Sequence, residues 1–202
     1  MKKKLAALSF LLVSLVLSGM AVGASIVGSS HDLTGTGVSA SVCVFCHTPH
    51  NASTTNLTTP LWNRVDTTST FQMYDSPTFD MSPGAGSQPA GVSLACLSCH
   101  DGSLSVDQLL NPPADFVANA NTVGGLGTDL RNDHPISFGY NVGLDPAFEP
   151  AVTVVAAGLP LFGAAGDQVE CGTCHNVHDP AIGKFLRISN TASAMCTACH
   201  IK

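Results

Sequence analysis

The stretch CVFCHTPH, residues 43–50, holds two cysteines three positions apart and two histidines three positions apart. Its first five residues form a CxxCH motif, in which Cys43 and Cys46 are followed directly by His47. This is the pattern by which a c-type haem is attached: two thiols form thioethers with the porphyrin and one imidazole binds the iron. His50 lies outside the motif and needs a separate explanation.

The CxxCH motif occurs four times and uses every cysteine of the chain. The other copies are CLSCH at 96–100, CGTCH at 171–175 and CTACH at 196–200. Four motifs predict four covalently bound haem c groups. The predicted thioether cysteines are Cys43, Cys46, Cys96, Cys99, Cys171, Cys174, Cys196 and Cys199, and the predicted proximal iron ligands are His47, His100, His175 and His200.

Two other uses of these cysteines are possible. Eight cysteines in an exported chain would otherwise suggest disulfides, and cysteine with histidine at these spacings also forms closed tetrahedral zinc sites. Haem attachment is favoured because a zinc site does not require a histidine directly after the second cysteine in every copy.

The number of histidines matches the needs of six-coordinate iron. Eight histidines are present, four of them inside the motifs and four outside. The sequence therefore predicts two histidines on each iron and a low reduction potential, since no methionine ligand is required. Each outer histidine alone could instead be an ordinary surface or core residue. The predicted distal ligands are His31, His50, His134 and His178.

The spacing of His50 indicates which iron it reaches. Residues three apart on a helical turn have Cβ atoms about 5–6 Å apart and point the same way, whereas trans ligands approach iron from opposite faces. His47 and His50 therefore do not share one haem, and His50 is expected to bind the iron of a neighbouring haem. His175 and His178 repeat this arrangement.

Enough histidines are present to close every axial position. A catalytic haem keeps one position open for its substrate, and no nucleophile, base and orienting acid can be picked out of the sequence. We expect an electron-transfer protein with no catalytic residues rather than an enzyme. A multihaem reductase, which needs at least one five-coordinate haem, is the less favoured alternative.

Residues 1–24 have the features of a secretory signal peptide: a basic start, an apolar run over 5–17 and a small-residue cleavage site over 22–24. The apolar run is short for a membrane anchor, so we expect an exported protein with no membrane span after cleavage. The remaining chain has 5 basic and 14 acidic residues, 5 − 14 = −9. This acidity argues against nucleic-acid binding.

Few segments outside the motifs show a regular hydrophobic period. We predict a mostly irregular, coil-rich fold with short α-helices at the CxxCH motifs and minimal β-structure. Residues 151–163, AVTVVAAGLPLFG, give the one strand or hairpin signal. The haems are expected to form most of the core, so the chain without haem should not fold.

The motif spacings predict one tetrahaem cytochrome c domain over residues 25–202. Haems 1 and 2 come from residues 43–100, haems 3 and 4 form a pair from 171–200, and the segment 111–165 wraps around them.

These motifs resemble a known family. Residues 171–200, CGTCHNVHDP…KFLRISNTASAMCTACH, are similar to the doubled CxxCH module of multihaem c-type cytochromes. The blocks SHDLT, CVFCHTPHN, PLWNR, CLSCHDG and NDHPISF are similar to the rest of that group. The whole pattern also resembles the extracellular tetrahaem cytochromes that polymerise into conductive filaments, the cytochrome nanowires of metal-reducing microbes.

The closer resemblance implies three properties: alternating parallel and T-shaped haem contacts, head-to-tail homopolymerisation, and one axial histidine donated by the neighbouring subunit. His31 is the expected crossing ligand. The implied partners are redox cytochromes and external electron acceptors, and the implied location is extracellular or at the cell surface. A soluble periplasmic tetrahaem shuttle is the alternative.

Overall fold

The computed structural model describes residues 25–84 and 86–201, so the predicted signal peptide at 1–24 lies outside the described residues. Regular structure there is confined to short elements. The helices are α1 (Gly91–His100), α2 (Ala151–Ala156), α3 (Cys171–Cys174) and α4 (Ala194–Thr197). The strands β1 (Phe138–Gly139) and β2 (Gln168–Val169) pair antiparallel, with Phe138 opposite Val169. Three 3-10 turns cover Leu33–Thr36, Gly183–Phe185 and Thr191–Ser193.

The predicted coil-rich fold with short helices at the motifs and minimal β-structure is confirmed. The second and third motifs lie on α1 and α3, and the fourth begins on α4. The first motif, residues 43–47, forms a hydrogen-bonded turn rather than an assigned helix. Helices α1 and α3 pack against each other, so the second and third motifs are neighbours.

The strand predicted over residues 151–163 is wrong in its first half, which forms α2. Pro150 directly precedes the helix, where its fixed φ suits the start of a first turn. Val154 is fully buried while Val152 is 76% exposed, so this run does not bury alternate side chains of a strand. Burial of Val154 therefore overrides the β-propensity of the valines.

Buried apolar side chains form three small clusters. The N-terminal cluster contains Val38, Val44, Phe45, Val106 and Leu109. The middle cluster contains Phe71, Leu97 and Leu130. The C-terminal cluster contains Met81, Phe138, Tyr140, Val154, Leu159 and Val169.

Each cluster adjoins a different part of the motif set. Cys46 of the first motif packs on the N-terminal cluster, Leu97 of the second motif belongs to the middle cluster, and Cys199 of the fourth packs on the C-terminal cluster. Clusters of this size bury little apolar surface for the length of chain that they hold. A large apolar cofactor beside each would add the surface that they lack.

The segment 111–165 contributes to all three clusters, through Phe116, Leu130 and Phe138. The single tetrahaem domain and its division into haem-bearing and wrapping parts remain predictions. Over the part of the chain that the structure describes, no helix combines the length and apolar character needed to cross a membrane.

Candidate haem centres

Each CxxCH motif forms one helical turn. The backbone N–H of the motif histidine donates to the carbonyl of the first cysteine, at 2.8 Å in the first motif, 3.0 Å in the third and 2.9 Å in the fourth. The second motif lies within α1. Residues three and four apart on such a turn share one face, so each turn can present two thiols and one imidazole to a single porphyrin.

Backbone carbonyls orient several of the imidazoles. Nδ1 of His47 lies 2.7 Å from the Pro60 carbonyl, Nδ1 of His175 lies 2.9 Å from the Lys184 carbonyl, and Nδ1 of His134 lies 2.9 Å from the Pro135 carbonyl. Since a carbonyl oxygen only accepts, Nδ1 is the donor in each neutral ring. Nε2 then keeps the lone pair that a metal requires, which is the usual arrangement for a histidine ligand.

His47 and His178 form the first of two histidine pairs. Their ring centroids lie 6.0 Å apart, and their planes differ by 19°. Two imidazoles on opposite sides of one metal, each bonded at about 2.0 Å, would have centroids about 6 Å apart. The pair therefore has the separation expected of the two axial ligands of one haem.

His31 and His100 form the second pair. Their ring centroids are 6.1 Å apart, and their planes cross at 73°. Burial is the main cause that lowers the pKa of His31, and the neighbouring His100 adds to it, so the ring is kept in the neutral form that binds metal. Nδ1 of His31 is buried without a hydrogen-bond partner, and Phe185 holds the ring at a centroid distance of 4.5 Å.

The two histidine pairs lie close together. After burial and His100, the charges of His178 and His175 also lower the pKa of His31, which places both residues near it. The segment 175–178 therefore lies beside both pairs. His178 faces the first motif, whereas His175 belongs to the third. That a motif histidine and the histidine three residues later serve different irons remains a prediction.

The other predicted ligands are placed differently. His50 and His134 are both exposed, and neither ring contacts another aromatic or histidine ring among residues 25–84 and 86–201. His200 lies against Phe148, at a centroid distance of 4.3 Å. The structure thus brings together four of the eight predicted axial histidines in pairs.

The cysteines of consecutive motifs are neighbours. Burial, followed by the charge of Cys99, raises the pKa of Cys46 to about 11. Cys99 therefore lies close to Cys46, so the first and second motifs are neighbours. A hydrogen bond with Cys171, followed by burial, raises the pKa of Cys96 and links the second and third. After burial, the charge of Cys196 raises the pKa of Cys174 and links the third and fourth. The cysteines of the four CxxCH motifs therefore follow one another in space in chain order.

All eight cysteines are free thiols. Within the described ranges, no group of three or more His, Cys, Asp or Glu side chains converges as a metal-ion site. A tetrahedral zinc site needs four such ligands. A haem iron needs only two protein ligands, because the porphyrin supplies the other four, and the two histidine pairs fit that requirement.

Two buried charged side chains near the motifs were not among the predicted site residues. Arg64 is 1% exposed and donates to the carbonyls of Val106 at 3.1 Å and Ser105 at 2.8 Å. Glu170 is also 1% exposed and directly precedes Cys171. The sequence could have pointed to these two residues only through the rarity of their residue types. The chain has eight basic residues, and Glu170 is one of two glutamates.

Comparison with known proteins gives one family match. Residues 163–202 match the family of the doubled CXXCH motif, which covers the third and fourth motifs. No curated protein matches the chain. The family match supports a multihaem c-type cytochrome that binds haem covalently and takes part in electron transfer.

Proposed function

We propose that this chain is a bis-histidine tetrahaem c-type cytochrome that conducts electrons along a row of closely spaced haems and polymerises into an extracellular filament. The observation that carries the haem assignment is the pair of histidine ring separations, 6.0 Å and 6.1 Å. Each separation joins a motif histidine to one outside the motifs, as two-sided ligation of iron requires.

The ring pairs give an assignment for the first two haems. His47 and His178 hold the iron of haem 1, and His100 and His31 hold the iron of haem 2. His175 and His200 are the proximal ligands of haems 3 and 4, whose distal ligands come from His50 and His134. In this assignment His31 serves its own chain, and the expected crossing role passes to one of the two exposed histidines.

Bound haem c supplies an iron that changes between the ferric and ferrous states. With both axial positions held by imidazole, no site is open for a substrate, so the protein acts by electron transfer. The contacts between cysteines of consecutive motifs support a row in the order haems 1, 2, 3 and 4. Electrons enter at one end of this row and leave at the other.

Both ends of the row carry exposed apolar side chains. Leu57 and Leu61, beside the first motif, are 78% and 54% exposed. Val152 and Ile201, near the fourth motif, are 76% and 53% exposed. Contact between the first end of one chain and the last end of the next would bury both surfaces and continue the row. Such a heterologous contact generates an open polymer when it does not close into a ring.

Electron microscopy of the native holoprotein sheared from cell surfaces tests this function, at a resolution that shows iron positions. We expect filaments with four irons per repeat and one histidine that crosses the subunit boundary. Discrete particles, each closing its own four haems, would instead establish a soluble periplasmic shuttle and contradict the filament.

Two variants identify the crossing ligand. Replacing the crossing histidine, in His50→Ala or His134→Ala, should prevent assembly while the chain keeps four attached haems. Replacing the other exposed histidine should leave filaments intact. A haem stain on a denaturing gel verifies covalent attachment in both, since zinc would give no colour.

A further inference from the structure

Glu170 is a buried carboxyl group between the second and third motifs. Its Oε2 accepts the hydroxyl of Ser137 at 3.0 Å and the backbone N–H of Ser93, in the first turn of α1, at 3.3 Å. Oε1 is buried and has no hydrogen-bond partner. A proton added to Oε1 would therefore leave both existing hydrogen bonds in place.

Within residues 25–84 and 86–201, the groups that hydrogen-bond to Glu170 or shift its pKa include no charged side chain. Helix α1 contributes Gly91 and Ser93, the segment before β1 contributes Ser137, and Thr58 lies beside Gly91. Among the described residues, the only salt bridge joins Arg131 to Asp129, at 2.7 Å.

Cys171 is adjacent to Glu170 and shares a hydrogen bond with Cys96. Both thiols would become uncharged thioethers once haem is attached. The nearest predicted iron ligand in sequence, His175, lies five positions further along the chain. Burial raises the pKa of Glu170, while hydrogen bonds from Ser93 and Ser137 oppose the rise. Burial and hydrogen bonding thus act on the pKa of Glu170 in opposite directions, and a change in nearby charge can alter its protonation.

We propose that Glu170 is a proton-binding site coupled to electron transfer. Its Oε1 takes up one proton when a haem bound at the neighbouring second or third motif accepts an electron. This inference rests on the proposed function. A reduced low-potential cytochrome donates the electron, and solvent water supplies the proton to the lone pair of Oε1. The proton on Glu170 would compensate for the positive charge that an electron removes from a bound haem, so that the local net charge would be unchanged. When the electron moves on, Glu170 releases the proton.

The backbone of Ser137 supports a specific role for its hydroxyl. Ser137 has φ +57°, a left-handed conformation that residues other than glycine seldom adopt. Its Oγ also accepts the backbone N–H of Ala90 at 3.2 Å. In this conformation Ser137 places a partly exposed hydroxyl on the buried carboxyl.

Redox titration of the holoprotein over a range of pH tests the proton site. In the wild-type protein, the potential of at least one haem should decrease as pH rises, and Glu170→Gln should remove that slope. Glu149→Gln is the matched control, because it replaces the only other glutamate, and it should keep the slope. The same slope in Glu170→Gln and wild type would overturn the proposal.

A second measurement does not depend on the folding of Glu170→Gln. Redox-difference infrared spectra are recorded for Glu149→Gln labelled with ¹³C-glutamate, in which Glu170 is the one remaining glutamate. Unlabelled 5-aminolevulinate is supplied as the haem precursor, so that haem propionates carry no label. A protonated carboxyl band that appears on reduction and shifts with the label is expected; a band that does not shift would refute the assignment.

Haem content and spin state of the same samples separate this test from that of the proposed function. Fewer than four low-spin haems would contradict the proposed function itself. An unlabelled band from a sample with four low-spin haems would contradict only the proton site.

Discussion

The imidazole rings of His31 and His100 cross at 73° with centroids 6.1 Å apart, whereas those of His47 and His178 lie within 19° of parallel at nearly the same separation. The orientation of axial imidazole planes governs how far two of the iron d orbitals differ in energy. Crossed planes bring these orbitals closer together and make a ferric low-spin centre more anisotropic. The two pairs should therefore give distinguishable haems.

Electron spin resonance of the oxidised holoprotein should show this difference. We expect one strongly anisotropic low-spin signal from haem 2 and a more rhombic one from haem 1. His31→Ala should replace the anisotropic signal with one high-spin centre among four haems, because one axial ligand is lost. His50→Ala changes a histidine outside this pair and should retain the signal. Persistence of the anisotropic signal in His31→Ala would show that His31 is not the ligand of haem 2.

Arg64 should raise the potential of the first two haems. Its guanidinium is buried, and its charge opposes the rise that burial causes in the pKa of Cys46 and of Cys99. A positive charge favours the reduced state, which carries one positive charge less. At an effective dielectric constant of about 20 and a separation of about 10 Å, the interaction is about 1.7 kcal/mol, which is about 70 mV for one electron.

Arg64→Gln should therefore lower the potential of at least one haem by tens of millivolts, measured by redox titration of samples with full haem content. Arg131→Gln is the control, since Arg131 is exposed and already paired with Asp129. Identical titration curves for Arg64→Gln and wild type would exclude this influence of Arg64.

The free energy of unfolding should depend on pH through Glu170. Because burial raises its pKa, the folded state holds the proton more tightly than the unfolded state, whose pKa is about 4.3. This contribution is present below the unfolded pKa and is lost as pH rises through the folded pKa. A tenfold difference in proton affinity between the two states corresponds to about 1.4 kcal/mol of stability.

Denaturant unfolding of the oxidised holoprotein at several pH values measures this effect. Wild type and Glu149→Gln should lose stability over the interval above about pH 4.3, while Glu170→Gln should lose less. If Glu170→Gln lost as much stability as wild type over that interval, or more, the expected direction of the pKa change would be contradicted.

The chain without haem should not fold cooperatively. Its three apolar clusters are small and separate, so little buried surface offsets the conformational entropy of a coil-rich chain. Protein made without haem attachment should show a coil-like circular dichroism spectrum and no cooperative thermal transition. A sharp transition in that material would mean that the clusters suffice.

Local patterns predicted those features that depend on neighbours in sequence. The motifs, the two-residue spacers and the scarcity of regular structure follow from residues read a few positions at a time. Helix α2 was mispredicted because its valines favour strands, whereas the position of Val154 in the C-terminal cluster decides the outcome.

The pairing of histidines depends on distant segments. The expectation that His31 binds a neighbouring subunit came from its position near the start of the predicted mature chain, and it remains a prediction. The structure shows the His31 ring beside His100 of the same chain. No spacing rule joins residues so far apart; their approach is set by tertiary packing. Arg64 and Glu170 were missed for the same reason, because their burial beside the motifs is a property of the assembled chain.

The contact between His47 and His178 has a consequence for the order of biogenesis. The two residues are separated by 178 − 47 = 131 positions. In a chain exported from its amino terminus, the first CxxCH motif would emerge long before His178, the distal ligand that the proposed function assigns to it. Haem 1 would then stay attached with one axial ligand until the third motif had passed through the membrane. The earliest haem to be attached would be among the last to gain both axial ligands. Its completion would therefore show that most of the chain has been exported.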